Sequence, residues 1–346
     1  MFRHIRRLAL LAALSLSLSL GLAGQSQADD TTLEVGYMPI LPVAQLFVME
    51  GEGWTDDAGL DLELTRFSSG PAMVQALASG ELDVMYFGIG PAMVARANGV
   101  PIKVLASSIR EQIGVVARGP LAEHFAATED AARAIADFTE AEGRPPKIAT
   151  FPQGSVPDTV LRYWLTEQLG IGTDAVNIVA MGADRVQQAL LAGAVDAASI
   201  LEPILTTVQQ RDDGARVVAR ADEMLPGQPG AVLAARESTL AEHPEAMRTL
   251  MALHLRATRM LTDDPERAAP SVREFVGKRL IPLETVETAL ASPSSNYVAD
   301  PHAIREGTRR MHDFQLEQGS LRQAVDLDAL FDTSLYDAVV AEHDDS

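Results

Sequence analysis

The chain contains no cysteine among its 346 residues. That excludes a disulfide framework, thiolate metal sites, a cysteine nucleophile and a lipid-anchor cysteine. Basic residues are scarce beside acidic ones, 28 Lys and Arg against 48 Asp and Glu, for a formal charge of -20. Such a surface argues against nucleic acid or an anionic membrane as a partner. It does not exclude an anionic ligand, because a buried site works through local dipoles rather than net charge. No phosphate-binding loop of the G-x-x-x-x-G-K-[ST] type and no H-E-x-x-H zinc motif occurs. Gly88-Ile89-Gly90 fails as a dinucleotide fingerprint because Met93 stands where the third glycine belongs. The seven histidines are scattered, none paired at metal-ligand spacing. No metal, cofactor or catalytic residue is expected.

Long apolar runs are also missing, with one exception at the amino terminus. Arg3, Arg6 and Arg7 form a basic head, Leu8 to Gly24 an apolar middle, and Ser26-Gln27-Ala28 a small-x-small end. That is the pattern of a secretory signal peptide cleaved after Ala28. The alternative, an uncleaved anchor helix, suits the run less well, since it is short for a bilayer span and loaded with serine. The mature protein is then expected to be soluble and periplasmic, with length enough for two domains of ordinary size.

Downstream, β-like runs alternate with helical ones. Leu33–Tyr37, Leu60–Phe67, Asp83–Phe87, Ile102–Ala106 and Ile113–Ala117 read as five strands of a mostly parallel sheet covered by helices. After an acidic helical segment the pattern restarts with Lys147–Thr150, Val176–Ala180, Ala197–Ile200 and Ala215–Ala219. The clearest internal echo sets Ala76-Leu77-Ala78-Ser79-Gly80-Glu81-Leu82-Asp83 beside Ala189-Leu190-Leu191-Ala192-Gly193-Ala194-Val195-Asp196, each a helix ended by Gly and a strand opened by Asp. Ala231–Arg236 is one more strand, and from His243 onward the pattern is helical with proline punctuation. The reading is an α/β protein of two lobes, 29–116 with 226–346 and 117–225, the helical tail packing back on the first.

Every candidate site is a turn of Gly, Ser or Pro between a strand's carboxyl end and a helix start, where open α/β sheets bind ligands. Ser68-Ser69-Gly70, Gly88-Ile89-Gly90 and Gln153-Gly154-Ser155 are the best of these. Free N–H groups and the positive end of a helix dipole attract carboxylate, sulphonate, nitrate or phosphate there. Taken singly, each turn reads as an ordinary helix cap; three of them over two repeated units point to a cleft. Glu202 follows the strand ending at Leu201 and precedes Pro203. It is either a surface loop acid or a cleft carboxylate that meets a ligand donor or an interlobe donor.

Gly36-Tyr37, Phe67-Ser68-Ser69-Gly70, the Ala76–Val84 segment, Gly88-x-x-Pro91 and Ala95-x-Ala97-Asn98-Gly99-x-Pro101-Ile102 together resemble the nitrate/sulphonate/taurine family of ABC solute-binding proteins, which also holds binders of pyrimidine precursors. The resemblance implies a type II periplasmic-binding fold, two crossover segments acting as hinges, a monomer, and delivery of a small ligand to an ABC permease and its ATPase. It implies a cleft lined by Ser69, Gly70, Gly88, Ile89, Gly90, Gln153, Gly154 and Ser155. Met38, Pro39, Ser68, Met181 and Glu202 join the expected binding set. Two departures bear on the ligand: Ile200-Leu201-Glu202-Pro203 stands where sulphonate binders tend to have an aromatic before Asp-Pro, and the Trp usual before Glu-Pro in pyrimidine binders is missing. An organic ligand carrying both acceptor and donor groups, such as taurine, would reconcile helix starts with Glu202. A sensory binding protein and a pyrimidine-synthase-like enzyme are the alternatives, the second opposed by the absent cysteines.

Overall fold

The computed structural model describes residues 31–277 and 281–344. The stretch read as a signal peptide, with its cleavage point, lies outside the described residues. Strands are β1 (Thr31–Tyr37), β2 (Leu60–Arg66), β3 (Val84–Gly88), β4 (Ile102–Ser107), β5 (Ile109–Arg110), β6 (Gly114–Ala117), β7 (Lys147–Thr150), β8 (Asn177–Ala180), β9 (Ala197–Ile200), β10 (Arg216–Arg220), β11 (Ala231–Arg236) and β12 (Asn296–Tyr297). They build two five-stranded sheets, ordered β2-β1-β3-β11-β4 and β10-β6-β9-β7-β8, and a small β12-β5 pair. No helix among the described residues is long and apolar enough to cross a membrane.

Each sheet is wired alike. β1 pairs parallel with β2 and β3, and β7 pairs parallel with β8 and β9. The remaining neighbours are antiparallel: β11 lies between β3 and β4, and β6 between β9 and β10. Two parts of the sequence reading need correction. The sheets are mixed, half their pairings being antiparallel. Ile113–Ala117 is not the fifth strand of the first sheet; as β6 it belongs to the second, and β11 fills the place assigned to it. The physical reason is that a short, wholly buried Gly-Val-Val-Ala run has no polar face and carries no mark of which sheet it enters.

The internal echo has a structural cause. Asp83 Oδ2 accepts the N–H of Glu34 at 3.0 Å, and Asp196 Oδ2 accepts that of Lys147 at 2.8 Å. The carbonyls of the same two aspartates accept N–H groups from Arg236, the last residue of β11, and Arg118, just past the end of β6. Each aspartate thus pins two neighbouring strands of its lobe. Burial alone would raise the Asp196 carboxyl, but the bidentate Arg144 guanidinium and the Lys147 N–H bring it below the usual carboxylate range. A depressed acid adds stability above its unfolded value and loses it as pH falls through the folded one. Asp196→Ala is therefore expected to cost about 2 kcal/mol at neutral pH, read as a lower urea midpoint. The difference from the unsubstituted protein should shrink on acidification below pH ~4.

Two crossovers join the lobes and run side by side. Ser108 N–H donates to Ala231 O, Gly230 N–H to Ile109 O, and Glu111 N–H to Gln228 O, at 2.8–3.1 Å. Glu111 Oε1 accepts from Gly227 N–H at 2.9 Å. Glu111 has φ 51°, the left-handed region that a β-carbon disfavours, so this ladder holds the first crossover in a turn it would not adopt alone.

The helical tail ties the parts together. Pro265–Gly277 packs on the helix Ala44–Gly51, and Ser271 Oγ donates to Glu52 at 2.9 Å. Asp332 N–H donates to Val104 O at 3.0 Å, closing the outer side of β4. The helix Arg305–Glu317 reaches furthest. Arg310 donates to Pro226 O at 2.8 Å beside the second crossover, and Gln315 Nε2 donates to Gly154 O at 3.3 Å and Thr159 Oγ1 at 2.8 Å in the second lobe.

Candidate functional site

Three helices begin at the groove between the lobes. Gly70–Ser79 follows β2, Ile89–Ala97 follows β3, and Val156–Tyr163 follows β7. Between their first turns lies a cavity of about 30 Å³. The first lobe lines it with Met38, Ile40, Gly70, Gly88, Pro91 and Ala231; the second with Phe151, Ser155, Val156, Pro157 and Leu201; the first crossover adds Gln112. As first residues of their helices, Gly70 and Val156 have N–H groups without intrahelical acceptors, next to positive dipole ends. No Asp, Glu, Lys, Arg or His is among the lining residues, and the only polar side chains are Gln112 and Ser155. Ser155 Oγ accepts weakly from Asp158 N–H at 3.4 Å, leaving its own proton to donate into the cavity. Such a site offers hydrogen-bond donors, fixed dipoles and an apolar wall, which suits an oxyanion with an uncharged body.

The glycines of the second and third turns serve the contact between lobes as much as any ligand, while Gly70 serves a contact within the first lobe. A β-carbon on Gly90 would lie 2.5 Å from Gly154 O, and one on Gly88 would lie 3.0 Å from Val156 Cγ2. A β-carbon on Gly70 would meet Pro91 Cγ at 2.3 Å. Gly154 itself has φ 84°. Asp158 steadies this turn, its carboxylate accepting from Gly154 N–H at 3.4 Å and from Arg162 Nε at 2.9 Å. Burial raises the Asp158 carboxyl and Arg162 opposes that rise.

Of the expected binding residues, Met38, Gly70, Gly88 and Ser155 line the cavity. The others are placed elsewhere, each for a local reason. Pro39 sits between two lining residues without lining the cavity itself. Ser68 is exposed, and Ser69 caps its helix by accepting from Ala72 N–H at 3.4 Å. Ile89 is fully buried and its N–H is taken by Gly230 O. Gly90 and Gly154 face each other across the lobes rather than the cavity. Gln153 is exposed, and Met181 is half-buried with its N–H on Thr150 O. Glu202 is buried and does not line the cavity. Its carboxylate accepts from the N–H and hydroxyl of Thr206, both at 3.0 Å, so it caps the helix Ile204–Arg211. Burial pushes its pKa up, against hydrogen bonds from Thr206 and Ser292 and the charge of Arg220. Unread in the sequence were Ile40, Pro91, Gln112, Phe151, Val156, Pro157, Leu201 and Ala231. Most lie within two residues of ones that were singled out; the exceptions are Gln112, on a connector with no helix start beside it, and Ala231, which opens β11.

Residues 26–274 match the model of the NMT1-like family. The chain belongs to that family. The resemblance drawn from the sequence is thereby borne out at the level of family and fold. A putative binding protein of Brucella abortus is 29% identical over 276 residues, covering 79% of this chain and 80% of that one. A putative aliphatic sulfonates-binding protein of Bacillus subtilis is 23% identical over 307 residues, covering 87% and 86%. Among solved structures, the periplasmic nitrate-binding protein NrtA of Synechocystis superposes with a TM-score of 0.76 at 16% identity, over 90% of this chain and 89% of that one. At that identity the likeness speaks for the fold alone.

Proposed function

We propose that this NMT1-like protein is the periplasmic solute-binding component of an ABC importer, capturing a small oxyanion-bearing ligand by closure of its two lobes. The observation that carries this reading is the meeting of helix starts from both lobes around a cavity that holds no charged side chain. Closure by rotation about the paired crossovers completes the donor set only when both lobes are present. Export through the amino-terminal signal and hand-over to a permease and ATPase follow from the same reading, as does the absence of catalysis. The Bacillus relative's sulfonate label supports an alkanesulphonate. The Glu202 carboxylate lends no support to a zwitterion, because it is hydrogen-bonded to Thr206 in the helix that follows it and does not line the cavity. A nitrate-sized anion is the second reading, favoured by a cavity of about 30 Å³, room for about two water molecules.

The test is calorimetry of the mature protein against methanesulphonate, taurine, nitrate and a formylaminopyrimidine. Micromolar binding of methanesulphonate or nitrate is expected, with taurine weaker. Micromolar binding of the pyrimidine alone would refute the anion reading.

A further inference from the structure

The helix Arg305–Glu317 is an arm of the first lobe laid across the hinge. The chain on both sides of it is fastened to β4. Ser107 N–H donates to Ala299 O and Asp332 N–H to Val104 O, both at 3.0 Å, and Lys103 Nζ donates to Ala329 O at 2.6 Å. The early turns of the arm pass over the second crossover. Gly307 lies so close that an added β-carbon would stand 2.1 Å from Gly227 O, and Arg310 donates to Pro226 O at 2.8 Å. Its last turns reach the second lobe through Phe314 and Gln315.

Gln315 is wholly buried. Its backbone carbonyl accepts from Leu321 N–H at 3.0 Å within the same tail. Its side chain belongs to the other lobe. Nε2 directs its two N–H groups to Thr159 Oγ1 at 2.8 Å and Gly154 O at 3.3 Å, while Oε1 has no partner among the described residues. Thr159 in turn donates its hydroxyl to Ser155 O at 2.9 Å. Ser155 lines the ligand cavity, so a relay of two hydrogen bonds runs from the arm to the turn that faces the ligand. Gly90, lacking a β-carbon, leaves the space in which this amide and Gly154 O meet. Beside the relay the Phe314 ring packs edge-on against Tyr163, centroids 5.1 Å apart. A buried donor that loses its acceptors is costly, so the relay favours the arrangement with the lobes together.

We propose that Gln315 is a positioning residue for ligand capture: it fastens the Ser155 turn to the first lobe and so holds the cleft closed over its ligand. The inference rests on the closure reading above and deepens it by naming the side chain that couples closure to the site. Gln315 acts without touching the ligand, since it is not among the residues lining the cavity. Opening the lobes parts Nε2 from both acceptors, and closing restores both at once. A bound ligand leaves only after the relay has broken, so the effect falls on dissociation more than on association.

Because the chain has no cysteine, two added thiols make a clean reporter of closure. β2 and β8 are the edge strands remote from the crossovers, and Arg66 at the end of β2 meets Asp184 of the helix after β8 at 3.4 Å. With Arg66→Cys and Asp184→Cys in place, the rate of cross-linking by a short bis-maleimide reads how often the ligand-free lobes close. Adding Gln315→Met, an unbranched side chain of similar length without the amide, is expected to slow that rate. Without the added thiols, Gln315→Met is expected to weaken methanesulphonate or nitrate at least about tenfold by calorimetry. The loss should appear as faster dissociation in stopped flow with melting nearly unchanged, which a purely structural role would not produce. Thr159→Val removes the acceptor and keeps the branched shape; it should move both readouts the same way, and it decides the question should the methionine variant not fold. A cross-linking rate within about twofold of the reference overturns the proposal, whatever the affinity does. A slowed rate with affinity within about twofold overturns the coupling to the ligand. If the unsubstituted protein binds neither anion, the oxyanion reading fails, and the cross-linking rate alone decides whether Gln315 holds the lobes closed.

Discussion

Gly90→Val is expected to weaken ligand binding roughly 5- to 150-fold, the equivalent of about 1–3 kcal/mol of overpacking, while the folded lobes survive. Gly90 heads the second turn of the cleft, where an added β-carbon would stand 2.5 Å from Gly154 O and 3.1 Å from Gln315 Nε2. The carbonyl cannot give way cheaply. Gly154 holds φ 84°, and Gln315 and Asp158 grip its turn from two sides. The clash arises where the two lobes meet, so it penalises the closed form and spares the open one. The measurements are affinity by calorimetry, melting temperature, and radius of gyration by small-angle scattering with saturating ligand. A larger radius, weaker binding and nearly unchanged melting are expected together. Unchanged affinity would show that closure does not bring these two turns into contact.

A second large effect concerns acid stability. His254, on the helix Pro244–Asp263, is wholly buried, with Nε2 2.8 Å from Ser107 O and Nδ1 3.3 Å from the Tyr86 hydroxyl. Nε2 therefore carries the proton to donate to the carbonyl, and Nδ1 accepts from the tyrosine. Burial lowers its pKa to about 4 despite the Ser107 hydrogen bond. The unfolded chain takes up this proton near pH 6.5 and the native state only near 4. Stability is complete above pH 6.5, falls between 6.5 and 4, and falls no further from this group below that. The loss is about 3 kcal/mol. His254→Gln should be less stable at pH 7 and show a flatter profile across the window, read from urea midpoints at half-unit steps. Parallel profiles would remove the imidazole as the cause. The groups around it support the first crossover: Gln45 Nε2 donates to Ser108 O at 2.7 Å, one residue on from Ser107.

The strand-helix alternation and the Asp83 and Asp196 echo were open to reading because each repeats a local rule: β-branched runs, Ser and Pro at helix starts, Gly at helix ends. Sheet membership was not. β6 and β11 are alike in their buried apolar runs, and only the folded crossovers decide that each enters the sheet on its far side. The turns of the cleft were found as turns, yet only four of the named residues reach the cavity. A glycine that binds an anion and a glycine that lets two backbones touch look the same in sequence, as Gly88 and Gly90 demonstrate. Glu202 was left open for a related reason: a carboxylate before a helix start is as ready to cap it as to meet a ligand.

The insertion of β11 between β3 and β4 has a consequence for biosynthesis. Residues 114–220 supply every strand of the second sheet in one continuous stretch, whereas the first sheet needs Ala231–Arg236 to join β3 to β4. A chain emerging from amino to carboxyl end therefore completes its second lobe before its first. Until β11 arrives, Val84–Gly88 and Ile102–Ser107 have unfilled edges, and both strands are largely buried in the finished protein. Such edges recruit other chains. Chains truncated before residue 231 are therefore expected to aggregate more readily than the full chain, a difference read by sedimentation of the two expressed side by side.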